Sequence, residues 1–158
     1  MALIAILAAA LNLRIGVTEV GPLLDRIRAD TGMSATLAGA LGAVPFLCMG
    51  VFALLGMRLV MRVRPRALVA TCLLLLAAGT VVRAVAPTSV LLIVTTIPIG
   101  IAIALIGLAL PGVIKTRFPD RTGAAMGAYV ATLSVGAAAA ALTMVPLAAA
   151  LGGWRAAF

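Results

Sequence analysis

Five stretches of about twenty apolar residues follow one another through the chain, separated by short segments that hold most of the charge. A helix of that length matches the hydrocarbon thickness of a bilayer. A spanning segment must satisfy its own backbone hydrogen bonds, which for such runs means α-helix. With 65% hydrophobic residues among 158, the chain has too little polar surface for a soluble domain of its size. It reads as an all-α integral membrane protein.

The expected spans are residues 2–24, 35–57, 67–85, 90–111 and 123–151. The segment Asp25–Gly32 reads as a short polar connection, with Ser34 able to cap the next helix. Pro111-Gly112 is expected to close the fourth span. Gly152-Gly153 is expected to turn the chain, and Trp154–Phe158 to begin a sixth span that is cut short. Met1–Ala10 lacks the basic start of a signal peptide, and its apolar run continues to Leu24, so it reads as part of a span. A start upstream of Met1 stays open.

Twelve Lys and Arg against four Asp and Glu give a net charge of +8. In a soluble chain that balance would suggest nucleic acid. Here the basic residues flank apolar spans, where they set orientation and meet anionic headgroups, and no nucleic-acid partner is expected. The loop 58–66 contains Arg58, Arg62, Arg64 and Arg66 without an acid, and the loop 115–121 contains Lys115, Arg117, Asp120 and Arg121. Placing both in the cytoplasm puts the N-terminus inside a cell (inner) membrane. Arg26, Arg28, Arg83 and Arg155 then fall on the outer side.

The first span holds the residue that composition does not explain. Arg14 falls near its middle, where a guanidinium costs roughly 2.5–3.5 kcal/mol on insertion scales. It must face protein or water. Thr18, four residues on, shares its helix face, whereas Asn12 and Glu19 point elsewhere. Glu19 is roughly 140° around the helix from Arg14, poorly placed to neutralise it. The expected spans show no other acid at depth. Arg14 therefore reads as an anion-binding side chain in a wet cavity, its planar fork suited to a planar anion or carboxylate. A structural ion pair is the competing reading.

Glu19 reads either as a proton-coupling carboxylate or as a group at the wet mouth of that cavity. Tyr129, Thr132, Ser134, Thr95 and Thr96 could offer hydroxyls to a solute, although hydroxyls in membrane helices more often bond their own backbone. Ala35/Gly39/Ala43, Gly100/Ala104 and Gly123/Gly127 have the spacing of close helix packing. Pro45, Pro98 and Pro146 can bend their helices. There is no His. Cys48 and Cys72 lie in apolar runs and read as small buried side chains, so no metal site or cofactor is expected. No nucleophile set, paired carboxylates or phosphate-binding loop suggests an enzyme.

Asn12-Leu13-Arg14, Thr18 and Val20-Gly21-Pro22-Leu23-Leu24 resemble the first span of a branch of the major facilitator superfamily, that of cyanate permeases and nitroimidazole transporters. The run Leu110-Pro111-Gly112-Val113-Ile114-Lys115-Thr116-Arg117-Phe118-Pro119-Asp120-Arg121-Thr122-Gly123 is similar to its junction between spans 4 and 5. So are Gly127, Tyr129 and Gly136, and Gly153-Trp154-Arg155 before span 6. The loop after Gly56 resembles the basic loop of the superfamily, but has no Asp and has Leu59, Val60 and Met61 at its centre.

The resemblance implies a twelve-span secondary transporter working by alternating access. This chain would be its first five spans and the start of a sixth, the N-terminal half of the fold, with the C-terminal half missing. It implies a small anionic or polar solute, cyanate-type or related. Arg14, Thr18, Asn12 and Tyr129 would bind it, with Glu19 a candidate for proton coupling. Arg62, Arg64, Arg66, Lys115, Arg117, Asp120 and Arg121 would form the cytoplasmic gating loops. The alternatives are a multidrug-type exporter of the same superfamily and a non-transporting membrane fragment or accessory subunit.

Overall fold

The computed structural model describes residues 2–157; Met1, and Phe158 at the end of the expected start of a sixth span, lie outside the described residues. Among these there are six α-helices and no strand: α1 (Ala2–Thr18), α2 (Val20–Thr31), α3 (Ala35–Arg62), α4 (Pro65–Ala84), α5 (Ser89–Arg117) and α6 (Thr122–Ala150). One-turn 3-10 segments follow α5 (Pro119–Arg121) and α6 (Trp154–Ala157). Helices α1 and α2 continue one another, so five segments are long and apolar enough to cross a membrane.

The bundle is built around α5. It is apolar on every face, as a helix surrounded by others must be, and Ile99, Ala102, Ile103 and Ile106 are almost completely buried. Helices α3 and α4 pack along it, and α1 pairs with α6. Helix α3 leaves Phe46, Leu47, Leu54 and Leu55 exposed, a face suited to hydrocarbon. Without a hydrophobic force between helices in lipid, contact depends on close fit. A Cβ on Gly100 would stand 2.9 Å from the Cβ of Cys48, so α3 and α5 touch there. The other expected small-residue contacts are not made: a Cβ on Gly39, Gly123 or Gly127 would meet nothing within 4 Å.

The interior divides into two apolar clusters. One includes Leu13, Leu76, Ile99 and Tyr129. The other includes Val20, Leu23, Ala86, Leu92 and Ala140.

Several helix ends differ from expectation. The segment from Asp25 is not a loop but the rest of α2, which continues to Thr31. Val20, Leu23 and Ile27 recur at helical spacing and are buried, and their stripe holds Asp25, Arg26, Arg28 and Asp30 on an exposed face. The helix ends at Gly32, whose φ of 64° lets its N–H reach the carbonyl of Arg28. Ser34 caps α3, its hydroxyl accepting from the N–H of Leu37 at 3.3 Å. Helix α3 continues through Arg58 to Arg62, leaving only Val63 and Arg64 before α4. Helix α5 continues through Pro111-Gly112 to Arg117, because Ile114 beyond them is fully buried. The missing proline N–H is tolerated in a span. Among the described spans the one interruption falls at Glu19, where the backbone stays helical (φ −58°, ψ −32°). Pro22 has no N–H to give to the Thr18 carbonyl four residues back, and its ring crowds that carbonyl.

Candidate functional site

Arg14 is on the fourth turn of α1, half-buried, at a cavity of about 290 Å³ between α1, α3, α5 and α6. Tyr129 of α6 and Met49 of α3 line the same cavity, whose other walls are mainly aliphatic. Helix α6 comes this close because residue 136 is glycine. A Cβ there would stand 3.2 Å from the Leu11 carbonyl oxygen and 3.3 Å from the Arg14 Cβ. Among the described residues Arg14 has no ion pair and no hydrogen bond. A guanidinium without a carboxylate beside it, in an aliphatic cavity with one phenol, is chemically suited to a small anion, which can take two parallel N–H donors.

The other expected binding residues are not at this cavity. Thr18 is the last residue of α1, half-buried and outside the lining. Asn12 is exposed, and its Nδ2 donates to the carbonyl of Ala8 at 3.0 Å. The hydroxyls of Thr132 and Ser134 donate to carbonyls one turn back, at 2.8 and 3.2 Å. Thr95 and Thr96 do the same on α5.

Glu19 is not at a wet mouth, and Arg83 does not lie on the outer surface. Glu19 and Arg83 are 4% and 1% exposed, and Arg83 Nη1 donates to Glu19 Oε1 at 2.8 Å. Arg83 Nη2 donates to Thr96 Oγ1 at 3.0 Å, while the Thr96 hydroxyl donates to the Leu92 carbonyl at 2.7 Å. This cluster joins the α1–α2 break to α4 and α5. Its signal was present in the sequence. Leu68, Cys72, Leu76, Gly79 and Arg83 recur every three or four residues along α4, and all five are buried. Arg83 therefore belongs to the inward stripe of its helix, although it is near the end of the span.

A second ion pair closes the opposite end of α2. Asp30 accepts from Trp154 Nε1 at 3.0 Å and is paired with Arg155, whose guanidinium stacks 4.3 Å over the Trp154 ring. Arg26 Nη1 donates to the Val145 carbonyl at 3.2 Å.

Arg62, Arg64, Arg66, Lys115, Arg117, Asp120 and Arg121 are all exposed. Arg66 and Arg117 line one apolar groove of about 550 Å³ together with Ala5 and Ile6. Both basic segments and the start of α1 therefore share one end of the bundle. Among the described residues no three His, Cys, Asp or Glu side chains gather as a metal-binding group.

Comparison with known proteins follows the same lines. The family model described as Major Facilitator Superfamily matches residues 2–158. The chain is 40% identical over 134 residues to the cyanate transport protein CynX of Escherichia coli (strain K12), covering 85% of this chain and 35% of that protein. It is 35% identical over 150 residues to the uncharacterized transporter YycB of Bacillus subtilis (strain 168), covering 94% and 37%. It is 35% identical over 150 residues to the 2-nitroimidazole transporter of Escherichia coli (strain K12), covering 95% and 38%. The chain thus spans little more than a third of the length of these curated relatives. No solved structure matches it.

Proposed function

Because the chain belongs to the Major Facilitator Superfamily, we propose that it is the N-terminal part of a secondary active transporter moving a small anionic or polar solute by alternating access. The observation that supports this best is Arg14, a half-buried guanidinium with no carboxylate partner among the described residues, at one cavity with Tyr129. Arg14 is the main binding side chain, and Tyr129 lines the same cavity. Thr18 and Asn12 lie outside the lining of this cavity.

Two relatives are named for cyanate and for 2-nitroimidazole. Cyanate is a small univalent anion, and a nitro group offers two oxygens in one plane, so either fits a guanidinium fork. Glu19 is tied to Arg83 and not exposed to the cavity's water, which favours a structural role for it over proton coupling. The shared basic end of the bundle supports a cytoplasmic N-terminus in a cell (inner) membrane. On this reading Arg62, Arg64, Arg66, Lys115, Arg117, Asp120 and Arg121 form the rim that meets the other half of the transporter.

The test is uptake of labelled cyanate and 2-nitroimidazole by cells expressing the protein encoded by the native gene, with Arg14→Ala beside it. Loss of uptake with normal membrane abundance is the expected result. Uptake unchanged in Arg14→Ala would remove Arg14 from the site.

A further inference from the structure

The Glu19–Arg83 pair is placed where the helix that carries Arg14 loses its own support. Helix α1 ends at Thr18, and Pro22 leaves the Thr18 carbonyl without its usual donor. The Glu19 N–H still bonds the Ile15 carbonyl at 2.9 Å, so the joint stays helical, but the bond missing at Pro22 lets it bend. Apolar packing reaches the joint from two clusters, Val17 against one and Ile15 against the other. One buried cluster has Leu13 of α1 among its members, the other takes over at Val20, and Glu19 belongs to neither. Between them the joint is held by a carboxylate from the break, a guanidinium from α4 and a hydroxyl from α5.

Stability is a poor explanation for such a cluster. A buried ion pair costs about as much in desolvation as it returns, and a well-packed apolar replacement is often as stable or more so. What the pair supplies is direction. It ties one point on α1 to two other helices, and Arg14 lies five residues before it, ~7.5 Å along the axis. A bend at this joint would shift Arg14 within the cavity that it lines with Tyr129.

We propose that Arg83 and Glu19 are positioning residues, a pin that sets the angle of the α1–α2 joint and so aims the Arg14 guanidinium at its anion. The proposal rests on the reading of Arg14 as the solute-binding side chain. Thr96 is part of the pin, because it holds the second nitrogen of Arg83 and leaves the first to Glu19.

The experiment uses the protein encoded by the native gene, reconstituted in liposomes, with the double variant Glu19→Leu/Arg83→Leu. It should melt at or above the parent temperature. Its KM for cyanate should rise on the order of tenfold or more, while Vmax holds. A purely structural pair would lower the melting temperature and leave KM alone.

A second readout needs no substrate. With Cys48 and Cys72 replaced by Ala, Arg14→Cys is labelled with the water-soluble reagent methanethiosulfonate ethylsulfonate, with and without the pair. Labelling should slow when the pair is removed, as residue 14 shifts in the cavity. It decides the pin even if the parent takes up no cyanate, an outcome that would count against the solute reading alone. If the double variant fails to reach the membrane, Thr96→Val removes one contact of Arg83 and should give smaller changes in the same directions. Unchanged labelling with unchanged KM, in whichever variant folds, overturns the proposal.

Discussion

Glu19 Oε1 and Arg83 Nη1 meet 2.8 Å apart, with their side chains 5% and 1% exposed. The two residues are 64 positions apart in the chain. Neither charge has water to fall back on, so each depends on the other.

Removing one partner should therefore cost far more than removing both. Arg83→Ala leaves the Glu19 carboxylate buried and should destabilise the bundle by about 3–5 kcal/mol. Thermal unfolding in detergent measures it. A loss below about 1 kcal/mol would mean that Glu19 finds another partner or reaches water.

Arg14 is expected to act through its shape as well as its charge. Arg14→Lys keeps the charge but replaces a planar fork by a point donor. Uptake of a planar anion should fall, with KM rising by roughly tenfold, about 1.4 kcal/mol of lost binding. Full activity in Arg14→Lys would show that charge alone suffices.

Trp154 is the one tryptophan of the chain, so its fluorescence reports on one place. Asp30→Ala removes the acceptor of its indole N–H and the partner of Arg155. Emission should shift to the red as Trp154 loses its buried site. Stability should change by less than about 1 kcal/mol, because the Asp30–Arg155 pair is solvent-exposed.

Gly100→Ala tests the contact of α3 with α5. The new methyl would stand 2.9 Å from the Cys48 Cβ and 3.2 Å from the Pro45 Cα, a backbone atom that cannot swing aside. A cost of about 1–3 kcal/mol is expected. Gly39→Ala, with nothing within 4 Å of its added carbon, should be close to neutral.

The shared basic end makes a topological prediction. Cysteines introduced at Arg64 and at Arg117 should both be labelled from the cytoplasmic side of intact cells, and neither from outside. Labelling of the two from opposite sides would contradict the fold itself, because Arg66 and Arg117 line the same groove.

The helical class and the order of the apolar segments were legible in the sequence because length and hydropathy alone decide them. So was the isolation of Arg14 from Glu19, which follows from an angle around one helix. Helix ends were less legible. Polar residues from Asp25 onward, and Pro111-Gly112, look like loop signals when read along the chain. Ile27 and Ile114, each fully buried one turn further on, keep those segments helical. Arg83 was missed for a related reason. Near the end of its span it looks like a flanking charge, and only the three-and-four spacing from Leu68 through Gly79 gives it an inward direction. That Glu19 waits at the end of that direction is tertiary information, which no local pattern contains.

The seam at Gly136 has a mechanical consequence. Because α6 lies against the backbone of α1 there, Arg14 and Tyr129 ride on one closely packed pair of helices. A motion that swings this pair of helices carries both side chains together and leaves the spacing between them unchanged. Selectivity and access are then separable properties. If these two side chains hold the solute, as proposed, the recognising chemistry would travel intact while the path to it is remade.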